Sequence, residues 1–330
     1  MGTGRVSLPI PSKPIEKKEV QFKRSVDLLR DAERYELNMR MNEIRAESET
    51  MMKDAKDSVD PNINDHGVGH VQRVLDKTDE VEGTLDEVSL TKQQIGRLQD
   101  EREKFDLRCA ALMHDVGRTE DLKGQHSVQS GKIINSRTDL FPDIRERERV
   151  AKIAILHNKE GSQTFGSDSI SELEQKRILT KKEAFQATVL RIADALDVGK
   201  KRVEKNTQGE PAHQVIDRIQ RTMSPEKAKS YLSHWHGHRG IISAETYNDN
   251  GKLGIRIRLD PGLLRSSGTD VAFVAKDVFS DINSTTIGKN YTVDFKCADK
   301  NLARSWYRSN QEMFGKETSG VRIVFTQAYD

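Results

Sequence analysis

The sequence is poor in cysteine: Cys109 and Cys297 stand far apart in 330 residues. Two such residues build neither a disulfide framework nor a CxxC metal knot, and a reducing compartment fits. Cys109 lies among apolar neighbours in Arg108-Cys109-Ala110-Ala111-Leu112, the setting of a small buried thiol. Long apolar runs are missing as well, and nothing approaches the ~18 residues of a membrane span. The start of the chain carries Pro11, Pro14 and several lysines but no apolar signal core. It begins Met-Gly, yet Val6 occupies the place where a myristoylation signal needs Ser or Thr. These absences make the cytoplasm the expected location and leave no membrane partner. An excess of one charge sign is lacking too: the net charge is +2 although 32% of residues are charged. That is not the footprint of a dedicated nucleic-acid binder. A local pocket can still be positive enough to take a nucleotide.

What is present is material for a core, with 35% hydrophobic residues in a chain long enough for one large or two medium domains. Residues 1–19 read as a flexible lead-in. Val20 to Val59 is charged, free of Gly and Pro, and dotted with apolar residues, which predicts a long amphipathic helix or helix pair. Its apolar positions hold no strict heptad, but a dimer arm, and so a homodimer, is one use for it. After a turn at Pro61 to Asp65, helical periodicity continues to about Asp197 with no strand pattern, apart from a polar loop at Gly161 to Ser171. The pattern changes after Pro211. A helical stretch over Ala212–Leu232, broken near Pro225, gives way to period-two alternation. Ile242–Thr246 and Leu253–Leu259 flank Asn248-Asp249-Asn250-Gly251, a hairpin signal. Tyr291–Cys297 and Val321–Phe325 supply two further strands, and helices are expected at Asp270–Ile287 and Asn301–Met313. The expected fold is mainly α: an all-α domain over 20–205, including the helix at 20–59, followed by a smaller α+β domain over 206–330. In that second domain the order β-β-α-β-α-β is expected to place helices on one face of an antiparallel sheet.

Chemistry concentrates in the helical half. His70 opens a helix, His114-Asp115 ends one in Leu112-Met113-His114-Asp115-Val116-Gly117-Arg118, and Asp194 lies in Ile192-Ala193-Asp194-Ala195-Leu196. Each is a polar residue in an apolar helical stretch, where burial is costly unless the group is paired or coordinated. Imidazoles with carboxylates suit a divalent ion such as Mn, Fe, Ni, Zn or Mg. Any one of these histidines alone reads as an ordinary core residue; the conjunction points to a metal.

The order H…HD…D in helices resembles the HD superfamily of metal-dependent phosphohydrolases over roughly residues 60–200, most specifically in Asp65–Val74 and Ala110–Arg118. The resemblance implies that His70, His114, Asp115 and Asp194 hold the catalytic ion, with His114 and Asp115 at the centre of catalysis. It also implies that His126 and His157 hold a second ion with Asp115 bridging, as in the two-metal subgroups; the other reading has these two histidines facing solvent or substrate phosphate. A metal so held lowers the pKa of water and polarises a phosphoryl oxygen, giving hydroxide attack on phosphorus. Asp197 is the fallback ligand. His66, four residues before His70, is a candidate substrate contact, and Arg73, Arg118 and Lys123 are candidate phosphate clamps. In His234-Trp235-His236-Gly237-His238, an extended segment would put three histidines on one face as a ligand site. Polar positions at the domain junction, with Trp235 stacking, are the preferred reading. The expected function is hydrolysis of a small phosphate ester, nucleotide or nucleotide-like, with one or two divalent ions. The alternatives are an HD-fold di-iron oxygenase and a nucleotide-binding regulatory protein with a sensory C-terminal domain.

Overall fold

The computed structural model describes residues 15–58, 67–88, 101–119, 125–207 and 210–328. The chain divides into two compact units, Met1–Asn42 and Glu43–Asp330. Helix α1 covers Ile15–Ser58. The turn expected at Pro61 to Asp65 lies outside the described residues.

In the second unit, α2 (Val68–Glu87) is followed by α3 (Glu101–Met113), a 3-10 turn at Val116–Thr119, α4 (His126–Ser136) and α5 (Ile144–Ile155). Two short helices, α6 (Lys159–Gln163) and α7 (Ile170–Gln175), take the two ends of the segment read as a polar loop, whose middle, 164–169, is non-helical, and α8 (Lys181–Ala195) follows. The amphipathic logic is plain in α2, where Val71, Val74, Leu75, Thr78, Val81 and Leu85 recur every three or four residues and are buried. By contrast, α3 and α8 are buried on nearly every side, as helices enclosed by others must be. The start of α8 is fixed by a capping box. Thr180 Oγ1 accepts from Glu183 N at 3.2 Å while Glu183 Oε2 accepts from Thr180 N at 2.8 Å. Among the described residues, no helix is long and apolar enough to cross a membrane.

Helices α9 (Lys200–Thr207), α10 (Ala212–Thr222) and α11 (Pro225–Arg239) lead to the sheet. Pro225 breaks the stretch as expected, standing at the first turn of α11 with Ser224 as its cap. The helix then runs through all three histidines, so the extended reading of His234–His238 is corrected. Helical spacing stacks His234 and His238 with ring centroids 6.3 Å apart and turns His236 onto Trp235 at 4.9 Å, so the three share no face.

The sheet has the order β1 (Ile241–Asp249), β2 (Lys252–Leu259), β3 (Tyr291–Cys297), β4 (Arg322–Gln327), with α12 (Pro261–Asn283) between β2 and β3 and α13 (Lys300–Ser309) and α14 (Gln311–Thr318) between β3 and β4. The β1–β2 hairpin turns on Asn250 and Gly251, both at positive φ (52° and 86°), the two-residue turn that Asn-Gly favours. The expectation of an antiparallel sheet is corrected. Only β1–β2 is antiparallel; β2–β3 and β3–β4 are parallel, pairing Ile257 with Phe295 and Phe295 with Phe325. The helices after β2 and β3 carry the chain back across the sheet, so each next strand enters from the same end. Phe295 centres the packing, its ring 6.0 Å from Phe279 of α12 and 5.2 Å from Trp306 of α13. The opposite face carries polar rungs, with Arg256 between Asp294 (3.1 Å) and Glu245 (3.3 Å). Strand β1 is tied to α2 through Glu80 Oε1, which accepts from Thr246 N at 2.6 Å.

Candidate metal centre

Five helix ends meet in the helical part of this unit. His70 lies in the first turn of α2, His114 and Asp115 just beyond α3, His126 at the start of α4, His157 just beyond α5, and Asp194 in the last turn of α8. His70, His114, Asp115 and His157 are buried to 2% exposure or less, whereas the Asp194 side chain keeps 23%.

Their ligand atoms form two groups, His70–His114–Asp194 and Asp115–His126–His157. In the first, His70 Nε2 is 3.1 Å from His114 Nε2 and 3.3 Å from Asp194 Oδ1, and His114 Nε2 is 3.8 Å from Asp194 Oδ1. In the second, Asp115 Oδ1 is 3.3 Å from His126 Nε2 and 3.7 Å from His157 Nε2, and the two nitrogens are 3.2 Å apart. Donors arranged about one ion at ~2.1 Å lie roughly 3.0–3.5 Å apart; two separations in each group fall in that range, and the third, at 3.8 and 3.7 Å, lies just beyond it. Asp115, a member of the second group through Oδ1, also borders the first: Oδ2 lies 3.5 Å from His70 Nε2 and 3.8 Å from His114 Nε2.

The tautomers agree. His114 Nδ1 lies 2.8 Å from Ala111 O and His157 Nδ1 2.7 Å from Ala154 O, the carbonyl three residues back in each case. Such carbonyls lose their helical partners where a helix ends, so the termini of α3 and α5 supply the acceptors. His70 Nδ1 lies 2.6 Å from Asp197 Oδ2. With Nδ1–H donated outward, the Nε2 lone pairs of His114 and His157 are left turned inward, and that of His70 joins them once its second proton is gone. Lone pairs and carboxylate oxygens gathered at about 3 Å repel one another, and a cation between them offsets that. The residues present fit a divalent ion in each group.

Electrostatics separate the two groups. Burial opposes a charge on His70, but hydrogen bonds to Asp194 and Asp197 outweigh it and raise its pKa to about 9. Burial likewise opposes charge on Asp194 and Asp197, yet the His70 contacts hold both well below the usual carboxylate range. In the second group burial dominates. It pushes His157 down to about 3 and lowers His126, so both imidazoles are neutral ligands at neutral pH.

The remaining expected residues fall in different places. Asp197, the fallback ligand, lies behind His70, where it accepts from Nδ1 and also from Arg73 Nε at 2.7 Å. Arg73, expected as a phosphate clamp, therefore has its guanidinium on Asp197, with Nη2 at 3.0 Å as well. Arg118 faces the ligands: Nε donates to Asp115 Oδ2 at 2.6 Å and Nη2 is 3.2 Å from His126 Nε2. His66 and Lys123 lie outside the described residues. Among the described residues, no third group joins the two above, so His234, His236 and His238 form no cluster of this kind.

Two residues escaped the sequence reading. Asn158 brings its side-chain nitrogen to 3.3 Å from both His126 Nε2 and His157 Nε2. Arg191 is fully buried and bonded to the chain around His157. Its signal was there, a charge inside the apolar run Ala187–Ala195, the same signal that marked Asp194.

A model of the HD-CE family matches residues 60–256, more than half of the chain. The chain belongs to the HD-CE family. The match holds every residue of both ligand groups and runs on through β1 into β2, so the HD-CE region includes the sheet hairpin as well as the helices. No curated protein matches the chain.

Proposed function

We propose that this HD-CE protein is a metal-dependent phosphohydrolase acting on a small phosphate ester, a nucleotide or nucleotide-like molecule, with water as nucleophile. The observation that carries the reading is the pair of three-residue ligand groups, with Asp115 of the second also bordering the first. His70, His114 and Asp194 would hold one ion and His126 and His157 a second, with Asp115 contributing to both. Divalent ions bound there supply Lewis acidity toward a phosphoryl oxygen and lower the pKa of water. The protein contributes preorganisation: Asp197, Ala111 O and Ala154 O fix the imidazoles before any ligand arrives. Arg118, with 22% of its side chain exposed beside Asp115, would meet an incoming phosphate, and Asp194, whose side chain is 23% exposed, would be reached by substrate first.

The test is turnover of a panel of nucleotides, dinucleotides, cyclic dinucleotides and an aryl phosphate with Mn²⁺, Mg²⁺, Ni²⁺ or Fe²⁺. Wild type is compared with Asp115→Ala. Metal-dependent release of phosphate or nucleotide, reduced by at least about 10³-fold in the variant, is the expected result, because the shared ligand is lost. Metal bound in wild type without hydrolysis of any panel member would overturn the reading. Iron-dependent oxygen consumption in that case would identify the oxygenase chemistry that the same ligand types allow.

A further inference from the structure

Arg191 of α8 is the largest fully buried side chain among the described residues. Its bonds run to carbonyl and hydroxyl oxygens. Nε and Nη2 donate to Leu156 O at 3.0 and 2.6 Å, Nη2 also to Asn158 O at 2.5 Å and to Ser162 Oγ, and Nη1 to Ser284 Oγ at 2.8 Å. A buried guanidinium is costly, and an apolar side chain of similar volume would pack there without that cost. What the charge accomplishes is therefore found in what it holds.

It holds a corner. His157 stands between the two carbonyls that Arg191 grips, and the chain turns so tightly after it that a Cβ on Gly161 would meet Ile155 O at 1.7 Å. Leu156 caps the C-terminus of α5, where a cation meets the negative end of the helix. The corner presents His157 Nε2 to Asp115 and the Asn158 amide to His126. Ser284, the cap residue at the end of α12, holds the other side of the guanidinium. The same stretch is tied in by Ile170 N donating to Ser284 O at 2.9 Å, by Thr286 Oγ1 2.8 Å from Thr188 Oγ1, and by Lys159 Nζ donating to Ser280 Oγ.

We propose that Arg191 is a positioning residue for the second ion. It clamps the Leu156–Asn158 corner, and the end of α12 in turn fixes Arg191, so that the sheet-bearing C-terminal part of the chain is a working part of the metal centre. The inference rests on the two-ion reading above.

The experiment titrates Mn²⁺ alone into the metal-free full chain by calorimetry. Stoichiometry is checked by elemental analysis, and spin coupling between paired ions by electron paramagnetic resonance. Wild type takes up two ions. Arg191→Lys, which keeps the charge but not the fork, weakens the second ion by about 10–100-fold and leaves the first within about threefold, the range seen when a residue supporting a ligand is lost. Ser284→Ala moves the second ion in the same direction by less. A merely structural Arg191 would lower the melting temperature of the metal-free protein and weaken both ions alike; that result overturns the proposal, as does unchanged Mn²⁺ binding in folded Arg191→Lys. Should Arg191→Lys fail to fold, Ser284→Ala decides, and an unchanged second ion there overturns it. One ion in wild type, indifferent to His157→Ala, overturns the two-ion reading itself and is visible before any Arg191 variant is made.

Discussion

At the scale of the residue, His70 and His157 are the same side chain in opposite states. His70 lies between Asp194 and Asp197 and holds its proton up to about pH 9, whereas His157 is buried without comparable carboxylate support and titrates at about 3. An imidazole that ligates a metal must be neutral, so binding at His70 displaces a proton and binding at His157 does not. The sign follows. Below about pH 9, affinity for the first ion rises about tenfold per pH unit with one proton released per ion, and above it the slope vanishes. The second group has no such slope between pH 7 and 9. Calorimetric titration of Mn²⁺ in buffers of different ionisation enthalpy checks both halves, and a proton count of zero for the first ion at pH 7 would refute the assignment. Asp197→Ala tests the origin of the shift. It removes the acceptor for His70 Nδ1 and the partner of Arg73, and should weaken the first ion by about 10–100-fold while sparing the second.

At the scale of the element, the centre depends on how closely helices approach, and Gly117 shows it. A Cβ there would lie 2.2 Å from His126 O and 2.3 Å from Ser130 N, both backbone atoms of α4. The glycine after His-Asp-Val thus lets α4 lie against the α3 corner, with Gly117 N donating to Ser130 Oγ at 2.9 Å. Gly117→Ala should push α4 outward, cost about 1–3 kcal/mol in denaturant unfolding and weaken the ion at His126. Thr180→Ala, which breaks the capping box of α8, should cost about 1 kcal/mol without changing metal stoichiometry. These cases also show what a sequence can carry. Polar residues set in apolar helical runs mark themselves, so His70, His114, Asp115 and Asp194 stand out before any contact is known, whereas His126, in a polar stretch, and His157 are reached only through the resemblance to the HD superfamily. Alternation likewise located all four strands but says nothing of direction, which depends on the helices that reconnect them. The acceptors behind the imidazoles left no trace because two are backbone carbonyls, and Asp197 looked like a ligand because distance along a helix does not reveal which side of His70 it meets.

At the scale of the molecule, the charges of the centre make stability depend on pH in a way that metal reverses. Without metal, the raised pKa of His70 means that the folded state binds its proton more tightly than the unfolded chain does. The stabilisation is fully present below about pH 6.5 and is lost as pH rises through about 9. Asp194 and Asp197, held low, contribute stability above the ordinary carboxylate range and lose it only in acid, so they stay ionised throughout this window. Asp281, pushed up to about 7 by burial, gives up its proton within it and bears on both metal-free and loaded curves. An ion on His70 replaces the proton, so the loaded protein no longer depends on that titration: the affinity that rises with pH offsets what the metal-free protein loses. The gap in melting temperature between Mn²⁺-loaded and chelator-treated protein should therefore widen steadily from pH 6.5 to 9. Differential scanning calorimetry across that range at fixed free Mn²⁺ measures it. A gap that stays constant or narrows would mean that the ion does not take the place of the His70 proton, and the first ligand group would have to be assigned without His70.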